Sequence, residues 1–300
     1  MKLSLRMTQP AASRGWSMYP VCGLPTCPST LIMRSLQSRG GICVGDLWYC
    51  SVDCFATAAR TQLSALTGGS VLEMRRNPRL SLGLVLLSKG YLTDDQLRAA
   101  TAESKLHGEP LETTLLRLGL ASERKIVAAR AAQWGCPVMA QDREVQHIES
   151  DIPPTLMNRC SAVPLHSSAT AKRLVLGFVY RVEHSLLNAL KLVTDFRADP
   201  CFITATEFEE QMEHVTSIAN YEEVVFEDAQ TPAQMARNVG GFAIEIAAKE
   251  ARFARCRDYV WTRLAGKRAT IDLLFRVEAA TQTGRGAGSF ILQENIRSIG

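Results

Sequence analysis

Cys22-Gly-Leu-Pro-Thr-Cys27 and Cys50-Ser-Val-Asp-Cys54 are two close thiol pairs joined by a loop-rich stretch containing Gly40, Gly41 and Gly45. Four thiolates spaced in this way can close a tetrahedron around a metal ion, with zinc about 2.3 Å from each sulfur. Such an ion neutralises the thiolates and adds folding free energy that a head of roughly 50 residues cannot draw from its small apolar core. The alternative is a set of reduced structural thiols. Cys43 lies close enough in the sequence to replace one ligand. A closed four-sulfur set leaves no position for water, so a metal here is structural rather than catalytic. The nine cysteines are an odd number, and the first residues carry charge without an apolar stretch that would mark a secretory signal. Reduced thiols or metal ligation are therefore expected rather than a disulfide framework, with a cytoplasmic location. Cys136, Cys160, Cys201 and Cys256 stand in apolar contexts and read as core residues.

The elements that must position the four thiols are legible. Residues Ile42 to Tyr49 read as strand with a turn at Gly45-Asp46, and a helical pattern follows Val52, clearest from Ala56 to Leu66. The second thiol pair thus lies on a strand-to-helix corner. This order resembles a treble-clef zinc finger, whose Tyr-Cys-Ser-x-x-Cys segment is matched by Tyr49, Cys50, Ser51 and Cys54. The first pair departs from the commoner spacing, with four intervening residues instead of two.

The whole chain of 300 residues is 46% hydrophobic and 21% charged, an ordinary composition for two or three small domains. A net charge of +4 is too weak to argue for a nucleic-acid partner, and no run is long and apolar enough for a membrane span. Residues 1–80 carry nine basic and three acidic groups, so the basic excess sits in the head and in Arg75, Arg76 and Arg79 of the linker after it. That excess fits an acidic partner or a solvated linker. The pattern implies an α+β chain: a Cys-rich head and linker over 1–72, a helical repeat over 78–140, a small α/β subdomain over 150–222, an α-β-β unit over 230–280, and a flexible tail over 281–300.

From Leu80 the sequence becomes helical and repeats with an offset of 29 residues. Leu82, Leu86, Leu87, Gly90, Thr93, Leu97 and Ala100 correspond to Leu111, Leu115, Leu116, Gly119, Ser122, Ile126 and Ala129. Each copy reads as two short helices, with a glycine ending the first and Thr93 or Ser122 capping the second. Thr93-Asp94-Asp95-Gln96 is a capping box. One hairpin alone cannot bury its leucine stripe, so the two are expected to stack.

Ser81 to Leu97 resembles the N-terminal domain of the type II secretion and type IV pilus assembly ATPases. The resemblance continues through Ala132, Gln133, Gly135 and Pro137, an Ile-Pro-x-x-Leu turn at Ile152 to Leu156, and a Val-Pro-Leu strand at Val163 to Leu165. After these come a hairpin partner from Arg173 to Val179, a helix from Glu183 to Val193, and a strand from Cys201 to Ala205. A last helix opens on a Thr206 to Glu209 capping box. About 140 of the 300 residues are covered. The ATPases of that family need a Gly-x-x-x-x-Gly-Lys-Ser/Thr loop to hold phosphate. This sequence contains none: Gly284 to Gly288 has no lysine, and Gly266-Lys267 lacks the upstream glycine. ATP hydrolysis is therefore not expected, and the chain reads as a non-enzyme.

The resemblance implies protein–protein docking, with an inner-membrane assembly protein or a secretion ATPase as partner. It also raises a rival, because some members of the family bind cyclic di-GMP through an Arg-Leu-Gly start in each repeat. Here those positions read Ser81, Leu82, Gly83 and Pro110, Leu111, Glu112. Both arginines are absent and the second glycine is a carboxylate, so this ligand is not expected. Arg79 could compensate only if the helix began earlier. The third reading is a zinc-dependent nucleic-acid binder. In residues 231–277, read as a helix from Thr231-Pro232 to about Lys249 and two strands, Arg252 to Leu264 and Ala269 to Val277, aromatic residues alternate with Arg252, Arg255, Arg257, Arg263 and Arg276. In a hairpin the same alternation places apolar side chains inward and charges outward, which makes a nucleic-acid partner not expected. The unit faintly resembles the segment before the nucleotide loop of the same ATPases, or stands as a separate small module. His107, His147, His166, His184 and His214 are dispersed and read as surface or loop residues, and Glu222-Glu223 as a solvated helix end.

Overall fold

Gly45, at φ +57°, turns β1 (Ile42–Val44) back onto β2 (Leu47–Tyr49) in antiparallel register. Ser51 follows and opens α1 (Val52–Gly68), whose Phe55, Ala59 and Leu63 recur every four residues and are fully buried. This computed structural model describes residues 21–27, 41–68, 79–139, 152–218, 222–267 and 269–277. The tail over 281–300 lies outside the described residues, as do Arg75 and Arg76.

The repeat forms as its caps dictate. Ser81 caps α2 (Leu82–Ser88), Thr93 and Gln96 form the capping box of α3 (Asp94–His107), and Ser122 caps α5 (Glu123–Trp134) after α4 (Leu111–Arg117). Gly90 and Gly119 both take the left-handed backbone, at φ +66° and +64°. Tyr91 N–H donates to Leu86 and Leu120 N–H to Leu115, so the two turns share one hydrogen-bond pattern 29 residues apart. The hairpins pack crosswise, α2 on α5 and α3 on α4. Their shared core is Val85, Leu86, Leu92, Ala100, Leu115, Ala121, Ile126 and Ala129.

Beyond Pro153, α6 (Pro154–Cys160) leads into β3 (Ala162–Ser168), which pairs antiparallel with β4 (Arg173–Phe178). The crossover helix α7 (His184–Val193) returns the chain to β5 (Arg197–Phe202), parallel to β4, and α8 (Ala205–Ile218) follows. Here β5 starts four residues before the expected strand. The capping box also sits earlier than expected: Thr204, not Thr206, exchanges hydrogen bonds with Glu207, at 2.8 and 3.1 Å. Thr206 instead donates to Glu123 on α5.

The last part differs most from the expected α-β-β unit. Thr231 and Gln234 box the start of α9 (Pro232–Glu245), but Ala247 at φ +49° ends the helical path before Lys249. The single strand expected from Arg252 to Leu264 is two, β7 (Ala248–Cys256) and β8 (Tyr259–Gly266), turned at Arg257 with φ +53°; β9 (Thr270–Arg276) follows. An arginine in that backbone region carries no turn signal. The segment at Glu223, read as a helix end, is β6 (Glu223–Phe226). Among the described residues, the six strands outside the small subdomain form one sheet in the order β2-β1-β7-β8-β9-β6, with β1 parallel to β7 and β6 parallel to β9. The Cys-rich head thus shares a sheet with the C-terminal unit.

Strand alternation gives this sheet two apolar faces. Val260, Leu264, Leu273 and Phe275 join Phe55 and Leu63 of α1 and Met235 and Val239 of α9 in one core. Tyr259, Trp261, Leu274, Ala254 and Cys256 join Leu186 and Leu190 of α7 in the other. On that second side Asp272 is buried, but Arg263 donates to both its oxygens and Trp261 Nε1 donates at 2.6 Å, so the charge is paired. Among the described residues no helix is long and apolar enough to cross a membrane.

Phe55 is fully buried where the head meets the sheet. Phe55→Ala is expected to cost about 3–5 kcal/mol. Denaturant unfolding followed by tryptophan fluorescence checks it: the midpoint falls, and head and sheet are lost in one transition.

Candidate functional site

The four thiols of the two pairs are brought together. Cys22 bridges in parallel to Trp48, Gly23 N–H donates to the Trp48 carbonyl at 2.7 Å, and Cys27 N–H donates to the Leu24 carbonyl at 3.1 Å. These bonds fold residues 22–27 into a knuckle beside β2. Cys50 leaves β2, and Ser51 then accepts from Cys54 N–H at 3.3 Å as α1 begins. Four residues of spacing across that first turn aim Cys50 and Cys54 at the knuckle.

The Sγ separations are 3.5 Å for Cys27–Cys50, 3.9 Å for Cys50–Cys54 and 3.7 Å for Cys54–Cys27, and all four sulfurs lie within 4.8 Å of one another. A tetrahedron with metal–sulfur bonds of about 2.3 Å has edges of about 3.8 Å, which the Cys27–Cys50–Cys54 triangle matches, and Cys22 lies at most about 1 Å from completing it. Charge gives the same answer. Burial, with the adjoining thiols of Cys27 and Cys50, pushes the Cys54 thiol up to about 12, and Ser51 only partly offsets it. A cation is what lets such a cluster ionise, and the amide end of α1 favours the resulting thiolates. Four protein ligands close the shell, so the centre can hold structure but has no open position for a substrate. Among the described residues no other group of His, Cys, Asp or Glu gathers in this way. Cys43, the substitute ligand, is outside the set: it lies in β1 opposite Trp48 and Glu250.

The residues considered for ligand binding on the repeat have other partners. Ser81 accepts from Leu84 N–H at 3.3 Å as a helix cap. Gly83 lies at a tight helix contact: a Cβ there would meet Leu97 at 2.9 Å and Leu111 at 3.6 Å. Leu82 and Leu111 are half-buried against the repeat core. Arg79 lies over the Trp134 ring, 3.4 Å from its centroid. Glu112, the carboxylate in place of the second glycine, accepts from the buried Arg130 at 2.6 Å. Arg130 also donates to the Val179 carbonyl at 2.7 Å, tying the repeat to the α/β subdomain. Sequence reasoning missed this pair, although an arginine flanked by Ala128, Ala129, Ala131 and Ala132 of a helix was a usable signal.

The five arginines that alternate with aromatic residues in the C-terminal unit are likewise engaged within the chain. Arg252 pairs with Asp195 and Glu250, Arg263 with Asp272, and Arg276 with Glu227. Arg255 donates to the Leu66 carbonyl at the end of α1, and Arg257 to the Arg159 carbonyl at the end of α6. Charge is therefore not all outward, since Arg263 is buried. His107 does have a carboxylate one turn away, Glu103 at 3.2 Å, but the pair is a surface contact near the end of α3. Cys160, Cys201 and Cys256 are buried as expected, and Cys136 is half-buried.

No family model matches the chain, and no curated protein matches it. Among solved structures it is similar to MshE with cdg, at 23% identity over 46% of this chain and 99% of that one, TM-score 0.39. It is also similar to the N-terminal domain of XpsE, at 24% identity over 44% of this chain and 91% of that one, TM-score 0.34. A second crystal form of the XpsE domain gives 23% identity, coverage of 43% and 90%, and TM-score 0.27.

Two outcomes follow from this geometry. The purified chain is expected to carry one metal ion per molecule by elemental analysis, and Cys54→Ala to lose it, with metal release becoming easier as pH falls because protons compete for the thiolates. Glu112→Ala leaves Arg130 buried without its carboxylate. Discounted for the partial exposure of Glu112, the loss is about 2–3 kcal/mol. Restoration of most of this stability in the Glu112→Ala, Arg130→Met double variant, measured by chemical denaturation, completes the check.

Proposed function

We propose that this chain is a non-catalytic cytoplasmic adaptor or regulatory protein of a type II secretion or type IV pilus-like system, acting by protein–protein docking. In this reading its Cys22, Cys27, Cys50, Cys54 clasp holds structural zinc, the ion best suited to four thiolates in a tetrahedron without redox chemistry. Cys22 and Cys27 hold it from the knuckle, Cys50 and Cys54 from the start of α1.

The observation that carries the reading is the doubled helical hairpin. Its two copies keep the same turn bonds at equivalent positions and bury their leucines against each other, as the resemblance of Ser81 to Leu97 to the secretion ATPases implies. Apolar side chains also remain on the outside of the repeat: Leu84 is 51% exposed and Leu106 77%. Such side chains suit a protein partner, for which the cytoplasmic part of an inner-membrane assembly protein or a secretion ATPase is the class expected. The lack of a phosphate-binding Gly-Lys loop in the sequence supports docking without hydrolysis. Cyclic di-GMP does not suit the repeat, because Ser81, Gly83 and Glu112 are committed to a cap, a helix contact and an ion pair.

Affinity capture from the native cell with the full chain tests the proposal: secretion or pilus components are expected among the recovered proteins, and their absence overturns it. Leu84→Asp is expected to weaken that binding roughly tenfold while leaving the melting temperature within about 1 °C, since an exposed side chain contributes little to folding. Calorimetric titration of the chain with cyclic di-GMP is expected to show no micromolar binding; such binding would favour a sensor instead.

A further inference from the structure

Cys160 and Cys256 are 96 positions apart in the chain, yet their sulfurs touch at 3.8 Å. Cys160 is the last residue of α6 and Cys256 the last of β7, and each is followed by a residue with left-handed backbone, Ser161 at φ +46° and Arg257 at φ +53°. The chain therefore turns away from the contact on both sides, and the two thiols meet at the seam between the small α/β subdomain and the six-stranded sheet. Among the described residues the seam around them is held by non-covalent contacts. Arg257 donates to the Arg159 carbonyl at 2.5 Å, Arg159 to the Tyr259 hydroxyl at 3.5 Å, and the Ser185 hydroxyl lies 3.9 Å from the Cys256 sulfur. Both cysteines are buried, and no metal-forming group includes either among the described residues. Two small apolar residues would fill this space as well, so packing alone does not call for a pair of sulfurs in contact.

We propose that Cys160 and Cys256 are a redox pair that closes to a disulfide under a peroxide oxidant and clamps the α/β subdomain to the sheet. The step balances with hydrogen peroxide as the two-electron oxidant. One sulfur, as thiolate, attacks a peroxide oxygen and becomes a sulfenic acid, with the O–O bond broken and water released. The second sulfur then displaces the hydroxyl from it, the S–S bond forms, and a second water leaves. Two thiols are oxidised by two electrons and both peroxide oxygens end as water. A dithiol reductant reverses the bond by exchange, itself becoming a disulfide. The sulfurs must approach from contact at 3.8 Å to about 2.05 Å for the bond to form. The contact with Cys256 and then burial push the Cys160 thiol well up. Closure is therefore slow at neutral pH and speeds up as pH rises, because only the thiolate attacks.

The test uses the full chain in its metal-loaded form, treated with hydrogen peroxide, quenched with an alkylating agent, digested and analysed by mass spectrometry without reduction. The expected product is a linked peptide pair containing Cys160 and Cys256, lighter by two hydrogens, reversed by dithiothreitol, and accompanied by a rise in melting temperature of roughly 5 °C. Cys160→Ala and Cys256→Ala each abolish the product. Cys201→Ala, at a buried cysteine whose sulfur faces the Leu176 carbonyl at 3.7 Å, leaves it unchanged. Because either seam variant could lose stability for packing reasons alone, the linked peptide in the unaltered chain is the deciding readout. Recovery of both cysteines alkylated, oxidised separately to sulfinic or sulfonic acid, or linked only to other cysteines overturns the proposal.

Discussion

The pairing of β1 with β7 is the constraint from which the rest of the architecture follows. Cys43 and Val44 lie in parallel register with Glu250 and Ala251, so a strand near the start of the chain forms part of the sheet built by its last described residues. A three-residue strand cannot hold such a position by its own hydrogen bonds. It is fixed from two sides: α1 packs its Phe55 and Leu63 into the core shared with α9, and the four-thiol clasp anchors the knuckle to the beginning of α1. The clasp is therefore more than a local staple for a small head. It sets the orientation of α1, and through α1 it covers one face of the sheet.

The opposite face of the same sheet carries α7 and, beyond it, the β3-β4-β5 layer. The helical repeat is attached in turn to that layer by Arg130, whose guanidinium reaches the Val179 carbonyl, and by the Arg124–Glu207 ion pair at 2.9 Å. Trp134 completes the joint between the Arg79 guanidinium and the rings of His184 and Phe202. The repeat is thus held at one end by α5, while Leu84 of α2 and Leu106 of α3 are exposed among the described residues. The clasp and the sheet form one framework, and the repeat is joined to it through the small α/β layer.

Much of this was readable from local chemistry. The repeat could be found because its signals are short-range: an N-cap hydroxyl, a glycine after a leucine pair, and a period that matches a helix. The thiol clasp could be found because ligand spacing on a knuckle and a helix start is itself local. What escaped was long-range or lacked a usual residue signature. Nothing near Ile42 announces a partner some 200 residues away, and that pairing is decided by α1 seating on α9. Arg257 turns a hairpin in a backbone region where glycine or asparagine would have marked it, and β6 takes its place in the sheet despite the carboxylate of Glu223, which Thr155 satisfies at 2.8 Å. The role of Glu112 needed its partner Arg130 to be seen, since a lone carboxylate says only what it would repel.

Hydrogen exchange of the full chain, first loaded with zinc and then treated with a chelator, tests most directly whether the clasp governs the framework. Loss of the metal is predicted to release the amides of β7, β8 and β9 together with those of α1, while α2 to α5 keep their protection. Loss confined to residues 22–54, with the sheet as protected as before, would contradict the account.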